Sequence, residues 1–114
     1  MPTSIYSFGF RHRGGSPDLV PGDLVIDVRR ALTRNPFRDK KLRHLRGDHP
    51  DVIADICKTP GLEKSYLTLR EKVCAHYGRV FLGCTGGHHR SVYLANRLGK
   101  DLKVPVTHLD YDKP

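Results

Sequence analysis

The sequence predicts an α/β fold: a single small layered domain over residues 1–114 with a mostly parallel sheet. Three observations carry this expectation. Short apolar, β-rich runs alternate with segments of helical periodicity, the pattern of strand–helix–strand crossovers. Leu62, Tyr66, Leu69, Val73 and Tyr77 recur at steps of four and three, which places them on one face of a helix. The apolar run Val80-Phe81-Leu82 passes through Gly86-Gly87 into a second helical pattern, Val92, Ala95 and Leu98. With 114 residues the chain has the length of one domain rather than two.

Each element follows from local signals. Ile5-Tyr6-Ser7-Phe8-Gly9-Phe10 alternates and is β-rich, so it is a first strand. Gly14-Gly15, Pro17 and Pro21-Gly22 mark a loop from Arg11 to Gly22. Leu24-Val25-Ile26 is a buried strand ending near Asp27. The segment from there to Gly47 holds the turn signal Asn35-Pro36 and is expected to be irregular or only partly helical. Pro50 suits a first helical turn, with Val52, Ile53 and Ile56 giving a short helix that Thr59-Pro60-Gly61 breaks. Gly78 is placed to stop the long helix in a left-handed cap. A strand is expected over 79–83 and a helix from about His89 to Lys100. Val104 and Val106 flank Pro105, so the last strand should be an edge or very short. Asp27 and Cys84 each end a strand, and the two ends are expected to lie close together.

Charge is concentrated in one place. Residues 29–46 hold Arg29, Arg30, Arg34, Arg38, Lys40, Lys41, Arg43 and Arg46 against Asp39 alone, a net +7 of the chain's +8. A local patch of this kind attracts polyanions, whereas evenly spread charge mainly aids solubility. Phe37 sits among Arg34, Arg38 and Lys40, and an aromatic side chain among cations can stack on an unpaired base. No base-reading motif is present, so recognition of structured RNA would rest on shape and backbone. No stretch approaches the ~20 apolar residues of a membrane span, and the start lacks the basic-then-apolar order of a secretory signal. The cysteines Cys57, Cys74 and Cys84 follow no disulfide or zinc spacing. Together these features predict a cytoplasmic protein without membrane partner, cofactor or metal. Cys57 and Cys74 are expected as small buried hydrophobes, and Tyr66 and Tyr77 as packing residues.

The stretch Cys84-Thr85-Gly86-Gly87-His88-His89-Arg90-Ser91 carries the chemistry. A strand, a glycine turn and a helix start leave backbone N–H groups without intrahelical partners, and the helix dipole favours negative charge there. Gly86 and Gly87 allow a ligand to approach the backbone closely. Arg90 adds a planar two-pronged donor, and Thr85 and Ser91 add hydroxyls. The residues therefore predict a site for a phosphate-sized anion.

The same stretch, written Cys84-Thr85-Gly86-Gly87-x-His89-Arg90-Ser91-Val92-Tyr93-Leu94, resembles the signature of the C-terminal domain of the RapZ family, the RNase adaptor proteins. Ser7-Phe8-Gly9-Phe10, Asp27-Val28-Arg29 and Asn35-Pro36 resemble its other motifs in the same order, and Leu45, Gly47, Asp48 and Val52 fit a looser match between them. The resemblance spans nearly the whole chain. It implies an α/β fold likened to a sugar-phosphate-binding part of phosphofructokinase, binding of small regulatory RNAs, sensing of glucosamine-6-phosphate, and oligomer formation. Carried over by position, Cys84, Thr85, Gly86, Gly87, His89, Arg90 and Ser91 would line the metabolite pocket, with Asp27 and Arg29 opposite. If only one of His88 and His89 faces the pocket, the resemblance selects His89. Arg30, Arg34, Arg38, Lys40, Lys41, Arg43 and Arg46 would form the RNA surface. The sequence departs from the family in having no G-x-x-x-x-G-K-[ST] loop, so nucleotide hydrolysis is not expected, and the domain is expected to stand alone. It also lacks the run of basic residues that ends some members, and Arg30 to Arg34 replaces a more apolar run.

A catalytic alternative stays open on the residues alone. Cys84 and Arg90 match C-x-x-x-x-x-R, followed by Ser91, the arrangement of cysteine-dependent phosphatases. There a thiolate attacks phosphorus while amides and the arginine hold the oxygens. An acid such as Asp27, Asp48 or Asp110 would have to protonate the leaving group.

Overall fold

A computed structural model describes residues 1–12, 17–32 and 35–113. Four strands form one all-parallel sheet in the order β2-β3-β1-β4. The strands are β1 (Ser4–Gly9), β2 (Leu24–Asp27), β3 (Arg79–Cys84) and β4 (Val106–His108). The helices are α1 (Pro50–Ile56), α2 (Leu62–Cys74) and α3 (Arg90–Leu102), with short 3-10 turns at Phe10–His12 and Pro36–Arg38. β1 and β3 are central and paired along their whole length, from Ser4 beside Arg79 to Gly9 beside Cys84. Strands flanked on both sides favour apolar runs, and Ile5, Phe8, Val80 and Leu82 are fully buried. β4 pairs with β1 over only three residues and ends the sheet, as its proline predicts.

α3 packs on β1 and β3, burying Val92, Leu94, Ala95 and Leu98. α2 buries Leu62, Tyr66, Leu69 and Val73, the face its periodicity defines. α1 begins at Pro50, with the His49 imidazole accepting from the Asp51 amide. The expected proximity of Asp27 to the end of β3 is borne out: Asp27 lies beside Gly83, and the Val28 amide donates to the Gly83 carbonyl at 2.9 Å.

Three expectations are corrected. Tyr77 does not pack: α2 ends at Cys74, so the apolar period runs past the helix and Tyr77 is 86 % exposed. Gly78 is accordingly not a helix cap. Its φ is +151°, and its role is close approach, since a Cβ there would lie 2.9 Å from the Gly22 carbonyl oxygen. Cys57 is exposed at the end of α1 and Cys74 is half-buried, so neither is a buried hydrophobe. The basic segment is mostly turns, but it is no loose loop. Leu32 and Leu42 from it are buried in the core, and Asn35 caps its 3-10 turn by accepting from the Phe37 amide. Arg34 lies outside the described residues, as does the pair Gly14-Gly15. No helix among the described residues is long and apolar enough to cross a membrane.

Candidate functional site

The chain leaves β1 toward β2, on the far side of β3, and leaves β3 toward β4, on the far side of β1. The two exits must pass each other at the carboxyl ends of the central strands, where ligands sit in open parallel sheets. Glycines permit the crossing. A Cβ on Gly9 would lie 2.4 Å from the Gly86 carbonyl carbon and 2.7 Å from the Gly87 nitrogen. Gly87 has φ +75°, and a Cβ there would lie 2.6 Å from the Gly9 nitrogen and 2.9 Å from the Asp110 Cβ. Asp110 is fully buried beneath the loop, accepting from the Gly9 amide at 2.7 Å and from Lys113 Nζ at 2.8 Å.

The loop therefore arches over a floor it cannot sink into. Gly87 donates its amide to Cys84 Sγ at 3.3 Å, and that sulfur lies 3.1 Å from the Ser91 hydroxyl. Among the described residues, no backbone carbonyl takes the amides of Thr85, Gly86, His88, His89 or Arg90. His89 occupies the N-cap position of α3 without capping it, because its Nε2 reaches the Leu45 carbonyl at 2.7 Å instead. The start of α3 thus keeps its donors and its positive dipole end available.

Beside this loop is a cavity of about 80 Å³ lined by Arg11, Asn35, Phe37, Cys84, Thr85, Gly86, His88, His89 and Arg90. A single water needs roughly 10–15 Å³ by the same measure, so the space admits a larger polar group. Among the described residues no carboxylate lines it. Arg90 is 7 % exposed, with Nη1 donating to the Leu32 carbonyl at 3.2 Å and lying 3.5 Å from that of Arg29, while Nε has no partner. Burial lowers its pKa, yet a guanidinium keeps its proton at neutral pH. His88 is equally buried, and its Nε2 is unpartnered. Burial holds both His88 and His89 below the ordinary imidazole value, with Arg46 pushing the same way.

Of the residues singled out in the sequence, the structure brings Cys84, Thr85, Gly86, His89 and Arg90 into this lining. Gly87 and Ser91 stand behind it, one as the hinge over Asp110 and the other fully buried against Cys84. Asp27 and Arg29 lie beside the site, outside its lining. They pair with each other at 2.6 Å, and the Arg29 guanidinium stacks 4.5 Å above Phe10. That pairing holds Asp27 below the usual carboxylate range. Sequence reasoning missed Arg11 and Asn35, which arrive from the β1 exit and the basic segment, and it did not choose His88. The Asn35-Pro36 turn signal placed Asn35 in a loop but carried nothing about which cavity it borders. Arg30, Arg38, Lys40 and Lys41 are exposed, while Arg43 and Arg46 are half-buried.

With the geometry in place, comparison with known proteins sets the chain among relatives. It is 41% identical over 110 residues to a nucleotide-binding protein of Ectopseudomonas mendocina, covering 88% of this chain and 36% of that one. It is 36% identical over 125 residues to a nucleotide-binding protein of Heliobacterium modesticaldum, covering 96% of this chain and 40% of that one. A nucleotide-binding protein of Limosilactobacillus reuteri is 36% identical over 124 residues, again with 96% of this chain and 41% of that one covered. The chain thus spans about two fifths of the length of the relatives it matches. The family model of the RapZ C-terminal domain matches residues 1–112. A parallel sheet whose central strands end at Gly9 and Cys84, a glycine loop crossing between them and this match together place the chain in the RapZ C-terminal domain family.

Proposed function

We propose that the chain is a binding and regulatory domain that holds a phosphorylated small molecule at the loop Cys84–Ser91, with an amino-sugar phosphate such as glucosamine-6-phosphate as its ligand. The observation that supports this most is Arg90: a buried guanidinium with an unpartnered Nε and, among the described residues, no ion-pair partner. Burying an unpaired charge is costly, and a bound phosphate relieves that cost with charge-assisted hydrogen bonds. The amides of Thr85, Gly86, His88, His89 and Arg90 and the Thr85 hydroxyl supply further donors at a helix start. A neutral His88 can accept from a sugar hydroxyl or ammonium through Nε2. Asp27 and Arg29, held by each other, belong to the rim. The relatives' description as nucleotide-binding proteins fits a phosphate-bearing ligand, but it belongs to proteins of which this chain covers only a part.

The exposed part of the basic segment, with Arg30, Arg38, Lys40, Lys41 and the half-exposed Phe37, is proposed as a surface for structured RNA. Calorimetric titration with glucosamine-6-phosphate, glucose-6-phosphate and inorganic phosphate tests the pocket. Tightest binding of the amino sugar, lost in Arg90→Ala, is expected. Equal response to all three reduces the site to a generic anion cradle.

A second reading rests on the 3.1 Å approach of Cys84 Sγ to the Ser91 hydroxyl, the pairing a cysteine-dependent phosphatase uses to stabilise its leaving thiolate. Each candidate acid is engaged elsewhere: Asp27 by Arg29, Asp48 by the Tyr111 hydroxyl at 3.0 Å, and Asp110 by the Gly9 amide. Release of phosphate from aryl or sugar phosphates that vanishes in Cys84→Ser would establish this chemistry in place of simple binding.

A further inference from the structure

A second cavity of about 340 Å³ adjoins the loop site, lined by Arg11, Phe37, Arg43, His44, Arg46 and His88. It shares Arg11, Phe37 and His88 with the first, so the two cavities adjoin across these side chains and are taken together as one recess. Two of its cations, Arg43 and Arg46, differ from other arginines on the molecule in how they are held. Arg29, Arg79 and Arg97 each grip a carboxylate, of Asp27, Asp23 and Glu63, and their charge is neutralised locally. Arg43 and Arg46 are held by neutral carbonyls. Arg43 donates Nε to the Phe37 carbonyl at 3.0 Å and lies 4.7 Å from that ring's centre. Arg46 donates Nε to the Tyr111 carbonyl at 2.5 Å and Nη1 to that of His44 at 3.1 Å. Both present guanidinium donors in a fixed position, and among the described residues no carboxylate lines the recess. Among the described residues Arg43 and Arg46 form no ion pair, so an anion against them breaks none. The buried His88, with its unpartnered Nε2, stands in the wall common to both cavities.

We infer that the recess takes a small molecule bearing two phosphoryl groups, one on the glycine loop and Arg90, the second against Arg43 and Arg46 beside Phe37. This rests on the loop reading above and extends it from a monophosphate to a bisphosphate. Hydrogen bonds from fixed guanidiniums give the second phosphoryl group its own affinity, and Arg43 becomes a specificity-determining residue that a monophosphate does not use.

The test is calorimetric titration of the intact chain, at fixed ionic strength, with glucose-6-phosphate and glucose-1,6-bisphosphate, repeated in Arg43→Gln and in Lys40→Gln/Lys41→Gln. The lysines are exposed and outside the recess, so their variant controls for charge alone. The bisphosphate is expected to bind about tenfold tighter, the worth of one charge-assisted hydrogen bond. Arg43→Gln should erase that difference while leaving monophosphate affinity within about twofold, and the lysine variant should keep it. Arg43→Lys should restore part of it. Monophosphate binding that the bisphosphate does not better overturns this inference and leaves the loop reading standing. Failure of both ligands to bind overturns this inference, and the loop reading falls with it when glucosamine-6-phosphate also fails to bind. Loss of structured-RNA binding in Arg43→Gln, with no bisphosphate preference, assigns the recess to an RNA backbone and also overturns it. A melting temperature of Arg43→Gln within a few degrees of the parent confirms that the variants are folded.

Discussion

The Gly9 amide donates to the Asp110 carboxylate across 2.7 Å, joining the end of the first strand to a residue 101 positions later. The contact fixes the floor of the glycine loop. Gly87, whose missing Cβ faces both partners, rides directly above it. Removing the carboxylate in Asp110→Ala leaves the Gly9 N–H without its buried acceptor and Lys113 without its partner. A loss of about 1–3 kcal/mol in urea unfolding is expected. Unchanged stability would show that the loop does not need this floor.

Gly9→Ala should be worse for function than for folding. The new methyl would meet Gly86 backbone at 2.4 Å and Gly87 at 2.7 Å, where no flexible side chain can give way. Overpacking of this kind costs about 1–3 kcal/mol and must displace the loop. The measurement is sugar-phosphate titration of protein shown by circular dichroism to be folded. Binding lost by tenfold or more is the expected result.

Arg90→Met separates function from stability. The guanidinium sits buried with an unpartnered Nε, a costly arrangement in the absence of ligand. The variant is expected to unfold within about 1 kcal/mol of the parent, or above it, while losing the ligand-dependent rise in melting temperature. Severe destabilisation would instead make Arg90 a structural strut between α3 and the carbonyl of Leu32.

Acid should weaken the fold through buried imidazoles before the paired acids Asp23, Asp27 and Glu63 lose their charge. His88, His89 and His108 are all held below their ordinary value of 6.5, chiefly by burial. A depressed value in the folded chain means that the unfolded chain binds the proton first. Their contribution is therefore complete above about pH 6.5 and declines as pH falls through the folded values. The paired acids Asp23, Asp27 and Glu63, also depressed, act only below their ordinary 3.8 and 4.5. Urea midpoints should fall between pH 7.5 and 5, and less steeply in His108→Gln. Saturating inorganic phosphate should flatten the slope further if it meets protonated imidazoles. A flat profile over this range contradicts the assignment.

Charge reversal at Arg38, Lys40 and Lys41 should leave stability within about 0.5 kcal/mol, since all three are exposed. Electrophoretic shift of a structured RNA at low salt should disappear, with the sugar-phosphate response intact. A retained shift would remove this segment from the RNA surface.

The sequence by itself determined the class of fold and pointed to the loop where the candidate site lies. Apolar periodicity at Leu62, Tyr66, Leu69 and Val73 and the Val80-to-Leu82 run are local consequences of 3.6- and 2-residue repeats, so they survive without knowledge of partners. The loop Cys84–Ser91 was legible because a strand, glycines and a helix start make an anion cradle from adjacent residues. Where local pattern outran packing, as at Tyr77, the helix had already ended at Cys74 and no neighbour covered the ring. Tertiary structure alone decided what surrounds the cradle. Arg11 and Asn35 reach it from 73 and 49 residues before Cys84, and Asp27 turned to Arg29 rather than to the cavity. Strand order brings those segments together, and strand order is set by long-range burial, which no short window of sequence encodes.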